Sequence, residues 1–264
     1  MLLIRAIFTG LLFQFAFLHF NYLYAQLPAV QVNEARFTKE FWGGLVMHSQ
    51  GFGINFNYSK FKTYKKKRLF TFDFVGMKHE KEYKIFGSID ESAKRYVFGK
   101  LNSFMIFRPG YGGRKMFLEK LRENGLQIAM NWSVGPSIGL TKPVYLEVLK
   151  IDAYGQIIGY SIERYDPEEH NIYNIYGRGP WSRGLSEAMF HIGGFLKLGC
   201  EFEFSDDRGI IKALEIGSTV DVYPRRIPIM TDNYNQLFNS NNQPINSFIF
   251  PTVYISLLFG AKYY

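Results

Sequence analysis

The stretch that most constrains this chain is its last one, Phe248-Ile-Phe-Pro-Thr-Val-Tyr-Ile-Ser-Leu-Leu-Phe-Gly-Ala-Lys-Tyr-Tyr264, which is apolar, aromatic and β-prone to the final residue. A soluble protein rarely ends on an exposed apolar strand, because such an edge recruits other strands and aggregates. A membrane β-barrel pairs its last strand with its first and leaves no edge. The stretch therefore predicts a closing barrel strand.

The other end of the chain predicts export. Arg5 is the only charge in a segment whose Ala6 to Tyr24 portion is apolar and aromatic, and the small residue Ala25 precedes Gln26. That pattern fits a secretory signal over residues 1–25. An uncleaved anchor is the alternative, and Gln14, His19 and Asn21 weigh against it. Residues 26–264 are then expected to form one all-β domain with a short periplasmic leader, Gln26 to Glu40. No later run approaches the length of a spanning helix. Aromatic residues make up 18% of the chain, yet the mean hydropathy is −0.11. Alternating lipid-facing and lumen-facing residues produce that mixture. A single cysteine, Cys200, excludes an internal disulfide. The net charge of +8 is concentrated in particular loops.

Period-two alternation recurs along the chain and predicts strands. Trp42 to Tyr58 reads as the first, with Phe52, Ile54, Phe56 and Tyr58 opposed to Gly51, Gly53, Asn55 and Asn57. The basic loop Lys60 to Lys67 follows. Leu69 to Met77 sets Phe70, Phe72 and Phe74 against Thr71 and Asp73. The connection from His79 to Leu101 is periplasmic by strand counting, and is longer than the tight turns expected there. Asn102 to Arg108 is the third strand, interrupted by Pro109-Gly-Tyr-Gly-Gly113. Arg114 to Leu121 either continues it or stands alone, and Asn124-Gly125 is a tight-turn dipeptide. Leu126 to Ile138, Val144 to Ile151, Met189 to Phe204, Ile210 to Tyr223 and the closing stretch complete the set. Asp152 to Glu187 and Pro224 to Ser247 are long loops. The count gives a transmembrane antiparallel up-and-down barrel of about eight strands, or ten if Arg114 to Leu121 is independent.

A signal ending in Ala-Gln and an aromatic closing strand resemble the outer-membrane β-barrel proteins of the Bacteroidota. Met77-Lys-His-Glu-Lys-Glu82, Gly99-Lys-Leu-Asn102, Arg108-Pro-Gly-Tyr-Gly112 and Gly135-Pro-Ser-Ile-Gly-Leu-Thr-Lys-Pro-Val-Tyr145 resemble landmarks of an uncharacterised group among them. The resemblance implies fold and an outer-membrane location, with no activity to carry over. Ile255, Leu257, Phe259 and Tyr263 share a face that resembles the signal read by the barrel-assembly machinery during biogenesis.

Four sets of residues are candidates for chemistry. Asp73, His191, Lys197, Glu201, Glu203, Glu215 and Asp221 fall on lumen-facing positions. They form either a salt-bridged plug or a small polar pore, since buried charges must be paired. His79-Glu80-Lys81-Glu82 has residue types for metal or acid–base work, but one histidine without a clustered partner favours a structural role. Ser161, Asp166, Glu168, Glu169 and His170 supply the types of a rim hydrolase without its spacing. Lys62, Lys65, Lys66, Lys67 and Arg68, placed outside, would meet lipopolysaccharide phosphates. The four histidines after residue 25 are scattered, and no cofactor or metal is indicated.

The leading expectation is a barrel with a closed lumen, structural or accessory to an envelope assembly or secretion complex. Its partners would be outer-membrane lipid, lipopolysaccharide and other envelope proteins docking on the second connection and the leader. Nucleic acid is not expected for an exported chain. The alternatives are a lipid-A- or phospholipid-modifying barrel enzyme and a narrow channel.

Overall fold

The computed structural model describes residues 38–63, 65–85, 93–118, 125–154, 156–205, 209–231 and 246–264. The expected signal, most of the leader and Asn124 of the turn dipeptide lie outside them. The strands are β1 (Lys39–His48), β2 (Gly51–Thr63), β3 (Lys66–Met77), β4 (Lys84–Ile85), β5 (Tyr96–Val97), β6 (Asn102–Leu118), β7 (Gln127–Pro143), β8 (Tyr145–Ile151), β9 (Ile157–Arg164), β10 (Ile175–Arg178), β11 (Met189–Glu203), β12 (Ile210–Val222) and β13 (Ile249–Tyr263). Eight of them close into an antiparallel barrel in the order β1-β13-β12-β11-β7-β6-β3-β2. The closing strand β13 lies between β12 and β1, with Leu257 opposite Leu45 and Leu214.

The total of eight agrees with the sequence, but two of its members differ. The expected first strand is a hairpin. In β1 the outward side chains are Phe41, Leu45 and Met47, at odd positions; in β2 they are Phe52, Ile54 and Phe56, at even ones. A continuous strand cannot change parity, so the chain turns at Ser49-Gln50 and pairs Leu45 with Ile54. The expected fifth strand, Val144 to Ile151, is not in the barrel. As β8 it is the centre of a separate three-stranded sheet ordered β10-β8-β9. Its Leu146 and Val148 bury against Tyr96, Phe98, Tyr165 and Ile175 in a core of their own.

The ten-strand alternative fails because β6 runs through Pro109-Gly110 without stopping. Gly110 is required there: a Cβ would lie 2.6 Å from the Thr71 hydroxyl and 2.7 Å from the buried Phe195 ring. Proline costs this strand one donor, and the β6–β7 register has no Cα pair between Phe107 and Tyr111.

The extra hairpin inverts the expected direction of β3, β6 and β7, and the loss of Val144 to Ile151 as a crossing restores it for β11, β12 and β13. The shorter connections β2–β3, β6–β7 and β11–β12 share one end of the barrel with the start of β1 and the end of β13. The β1–β2 turn and all three long connections share the other. The connection between β3 and β6 therefore lies at the long-loop end, and not at the end where the chain enters β1, the periplasmic end by strand counting. There Tyr96 and Phe98 pack with Leu146, Val148, Tyr165 and Ile175 in a cap, where the Arg178 N–H donates to the Lys94 carbonyl at 3.2 Å and the Tyr165 N–H to the Val144 carbonyl at 2.9 Å.

Candidate functional site

The lumen is built by the inward parity of the eight strands. At the short-turn end, Arg114 is buried among three carboxylates. Its Nη1 donates to Glu40 Oε2 at 3.0 Å, and its Nη2 to Glu201 Oε1 at 2.5 Å and to Glu203 Oε2 at 3.4 Å. Lys67 Nζ donates to Glu40 Oε1 at 2.6 Å and Lys262 Nζ to Glu203 Oε1 at 2.7 Å. The Trp42 ring stacks under the guanidinium at 5.2 Å. Midway, Lys197 Nζ donates to Asp73 Oδ2 at 2.9 Å and lies 4.0 Å from Glu215. The Tyr254 hydroxyl donates to Glu215, and the Asn131 amide bridges Glu201 and Glu215 at 2.7 and 3.2 Å. Above that layer, Arg108 grips Asp221 with two parallel bonds of 2.8 and 2.6 Å, and the Ser137 hydroxyl donates to the same carboxylate at 2.6 Å.

Carboxylates on lumen-facing positions need cations beside them, because an unpaired charge in so enclosed a space is costly. Six of the seven predicted lumen residues join this paired array. His191 does not: it lies towards the long-loop rim, and its Nε2 bonds the Thr141 hydroxyl at 2.9 Å. Sequence reading missed Glu40, Lys67, Arg108 and Arg114. Glu40 was assigned to the leader and Lys67 to a loop, while Arg108 and Arg114 flank a Pro-Gly interruption that hid their shared parity.

The long-loop mouth is closed differently. The chain after β12 folds back over it, burying Tyr223, Ile227, Ile229 and Met230 against Val75, Met77, Phe104, Ile106 and Phe250. The Leu101 N–H donates to the Ile229 carbonyl at 2.9 Å, the Thr231 N–H to the Gly99 carbonyl at 2.8 Å, and the Asn102 amide to the Pro228 carbonyl at 2.7 Å. Between the two closures lies a cavity of about 10 Å³, lined by Asn57, Thr71, Asn131, Ser133, Lys197 and Glu215 among others. That is room for one water, not for a solute.

The remaining candidates resolve into local structure. The Glu82 carboxylate accepts the His79 N–H at 3.0 Å and pairs with Lys100 at 2.6 Å, while His79 Nδ1 accepts the Lys81 N–H at 3.1 Å. This is a self-capped turn. Among the described residues no group of three or more His, Cys, Asp or Glu side chains could hold a metal. Ser161 and His170 do come together, but through the wrong partner. The Ser161 hydroxyl donates to Glu163 Oε1 at 2.5 Å, and His170 uses Nε2 on Glu163 Oε2 at 3.3 Å and Nδ1 on the Asp166 N–H at 2.8 Å. A nucleophilic serine needs the histidine, not the carboxylate, as its acceptor. The Ser161 and His170 bonds hold the Glu163 carboxyl below its ordinary value. Nearby, burial pushes the Tyr96 phenol up to about 12.

The basic run is not at the end that carries the long loops. It occupies the β2–β3 hairpin at the short-turn end, because the Ser49-Gln50 turn adds a crossing before it. Lys67 points into the lumen, whereas Lys62, Lys65, Lys66 and Arg68 are exposed. Ile255, Leu257, Phe259 and Tyr263 all lie on the outward face of β13.

No family model and no curated protein matches the chain. Among solved structures it is similar to Ail, the attachment invasion locus protein of Yersinia pestis, at 8% identity in a complex with the heparin analogue sucrose octasulfate and at 7% in a second structure. Each alignment covers 87% of this chain and 100% of Ail, with a TM-score of 0.39. Neisserial surface protein A is similar at 8% identity over 86% of this chain and 97% of its own, also with a TM-score of 0.39. Likeness at this level transfers no ligand, partner or residue role.

Proposed function

We propose that this chain is an integral outer-membrane barrel protein with a closed, salt-bridged lumen, acting as a structural or accessory subunit of an envelope assembly or secretion complex. One observation carries the membrane reading: the outward face is apolar on every barrel strand. Leu45, Phe56, Phe72, Phe107, Val134, Leu196, Ile216 and Leu257 all face out of the barrel, each more than a third exposed. A barrel in water would place polar side chains there; one in lipid must not. By the usual sidedness of such barrels the short-turn end is periplasmic and the cap faces outward. The expected export signal, the closing-strand signal for the assembly machinery and the Bacteroidota landmarks belong to the same reading.

The accessory role is supported by the cap. Its sheet turns one face to a buried core and exposes Ile151, Tyr160 and Ile162 on the other, with Tyr160 stacked on Tyr176 at 5.6 Å. Apolar residues grouped on a free sheet face fit a protein partner better than water. The closure of both mouths counts against a channel, and the Ser161–Glu163–His170 geometry against a rim hydrolase. Expression in a Gram-negative envelope tests the proposal. The folded protein should fractionate with the outer membrane, run faster unheated than boiled, and co-purify with a partner that is lost in Tyr160→Lys. A soluble periplasmic product would sink the membrane reading, and a partner retained by Tyr160→Lys would sink the cap as its docking face.

A further inference from the structure

The basic run has a use at the end where the structure places it. On the outward face of β1, β2 and β3, Lys39 is paired across the sheet with Lys60, and Lys60 with Arg68. On the next strand, Lys66 faces Lys115. Lys62 stands exposed between them. Like charges directly opposite on one sheet face repel. Among the described residues, none of these six cations has an anionic partner. Further into the barrel on the same face, two residues from Lys39, Lys60 and Arg68 and four from Lys62, Lys66 and Lys115, runs a ladder of rings: Phe41 opposite Tyr58, Tyr58 opposite Phe70, and Phe70 opposite Tyr111. Phe70 lies 6.3 Å from Tyr58 and 5.2 Å from Tyr111. The order along each strand is therefore apolar belt, aromatic rung, cation rung. The opposite rim has no such ladder of opposed cations: the outward side chains Met47, Phe52, Phe190, Ile192, Val222 and Ile249 stay apolar to the ends of their strands, and the Lys78 ammonium there lies 6.0 Å from the Phe52 ring.

We propose that Lys39, Lys60, Lys62, Lys66, Arg68 and Lys115 form a lateral docking surface for phosphate-bearing lipid headgroups in the leaflet at the short-turn end; this rests on the membrane-spanning reading. The cations sit beside the belt, not on the end of the barrel, so they face lipid sooner than a soluble protein. Aromatic side chains settle at the interface and place the cations one rung beyond it, at headgroup depth. Phosphate groups between opposed cations relieve the repulsion across the ladder.

The test uses the full-length protein folded into phosphatidylcholine vesicles with and without phosphatidylglycerol. The variants are K60Q/R68Q and a charge-matched control on the cap, K94Q/K150Q. Wild type and the control should show a higher thermal midpoint with phosphatidylglycerol, and K60Q/R68Q should lose at least half of that rise. Retained phosphatidylglycerol per protein after detergent extraction should fall roughly tenfold in the same variant. High salt should abolish the wild-type rise, and that arm decides the matter if K60Q/R68Q does not fold. An equal rise in K60Q/R68Q overturns the proposal, as does no rise in wild type. The same rise from inorganic phosphate in phosphatidylcholine vesicles overturns it in favour of a free-anion site. Failure of wild type to insert into either vesicle overturns the membrane-spanning reading itself.

Discussion

The two mouths of this barrel are closed by opposite chemistry. At the short-turn end the closure is a knot of charge, with Arg114 held by Glu40, Glu201 and Glu203. At the long-loop end it is an apolar plug, with Ile227, Ile229 and Met230 set among Phe104, Tyr223 and Phe250. Chain length explains the difference. A tight turn cannot fold back over a mouth, so side chains must reach across it, and only long polar ones span the gap while meeting inward-facing partners. A long connection can lay its own backbone across, bring apolar side chains with it, and satisfy its amides on the Gly99–Asn102 segment.

The charged knot should be the more sensitive of the two. Arg114→Met leaves three buried carboxylates with less than their full complement, and breaking such a group costs about 3–5 kcal/mol. Urea unfolding in detergent should show that loss, and added salt should not restore it, because the pairs are sealed from solvent. The plug should be softer and indifferent to charge. Ile229→Ala creates a cavity worth about 2–4 kcal/mol, and its cost should be equal at low and high ionic strength. If Ile229→Ala costs more than Arg114→Met, the contrast between the mouths is wrong. A third change acts at the seam beside the charged mouth: deleting Tyr263 and Tyr264 removes the Tyr263 pair with Lys39 and the bond from the Thr38 N–H to the Tyr263 carbonyl. Heat-modifiable protein in the membrane should drop severalfold, and normal levels would show that the closing strand does not need its aromatic end.

The smallest effect belongs to the cap. The Glu163 carboxyl is held below its usual value of 4.5. Its ionised form therefore stabilises the folded cap at pH above the unfolded value, and that contribution is lost as pH falls through the lowered folded value. Side-chain exposure near 44% keeps it small. Amide exchange in β9 should quicken slightly below pH 4.5 in the wild type, and Glu163→Gln should flatten that dependence.

The strands whose two faces differ sharply were legible in the sequence. β11 alternates Leu196 and Leu198 with Lys197, and β12 alternates Ile216 and Val220 with Glu215 and Asp221, so their parity gave the face of each side chain. The hairpin at Ser49-Gln50 was legible too, but only as a change of parity between Leu45 and Phe52, and glycines at 43, 44, 51 and 53 obscured it. β8 misled because it is a true strand whose apolar side chains Leu146 and Val148 share one face, and nothing local tells burial in the cap core from contact with lipid. The lumen was read as five carboxylates, one lysine and one histidine. The missing cations Arg108 and Arg114 sit on a strand whose Pro109-Gly110 break is a packing device for Phe195. No local pattern announces a ring contact from a strand two places round the barrel.

The most direct test of the account is lipid exposure around the barrel, measured by spin labels at single cysteines in a Cys200→Ser background. Labels at Leu45, Phe72, Val134 and Leu257 should be accessible to oxygen and shielded from a water-soluble nickel reagent, and a label at Lys94 on the cap should show the reverse. Access of the nickel reagent to all four belt sites would contradict the central claim that this barrel spans a membrane.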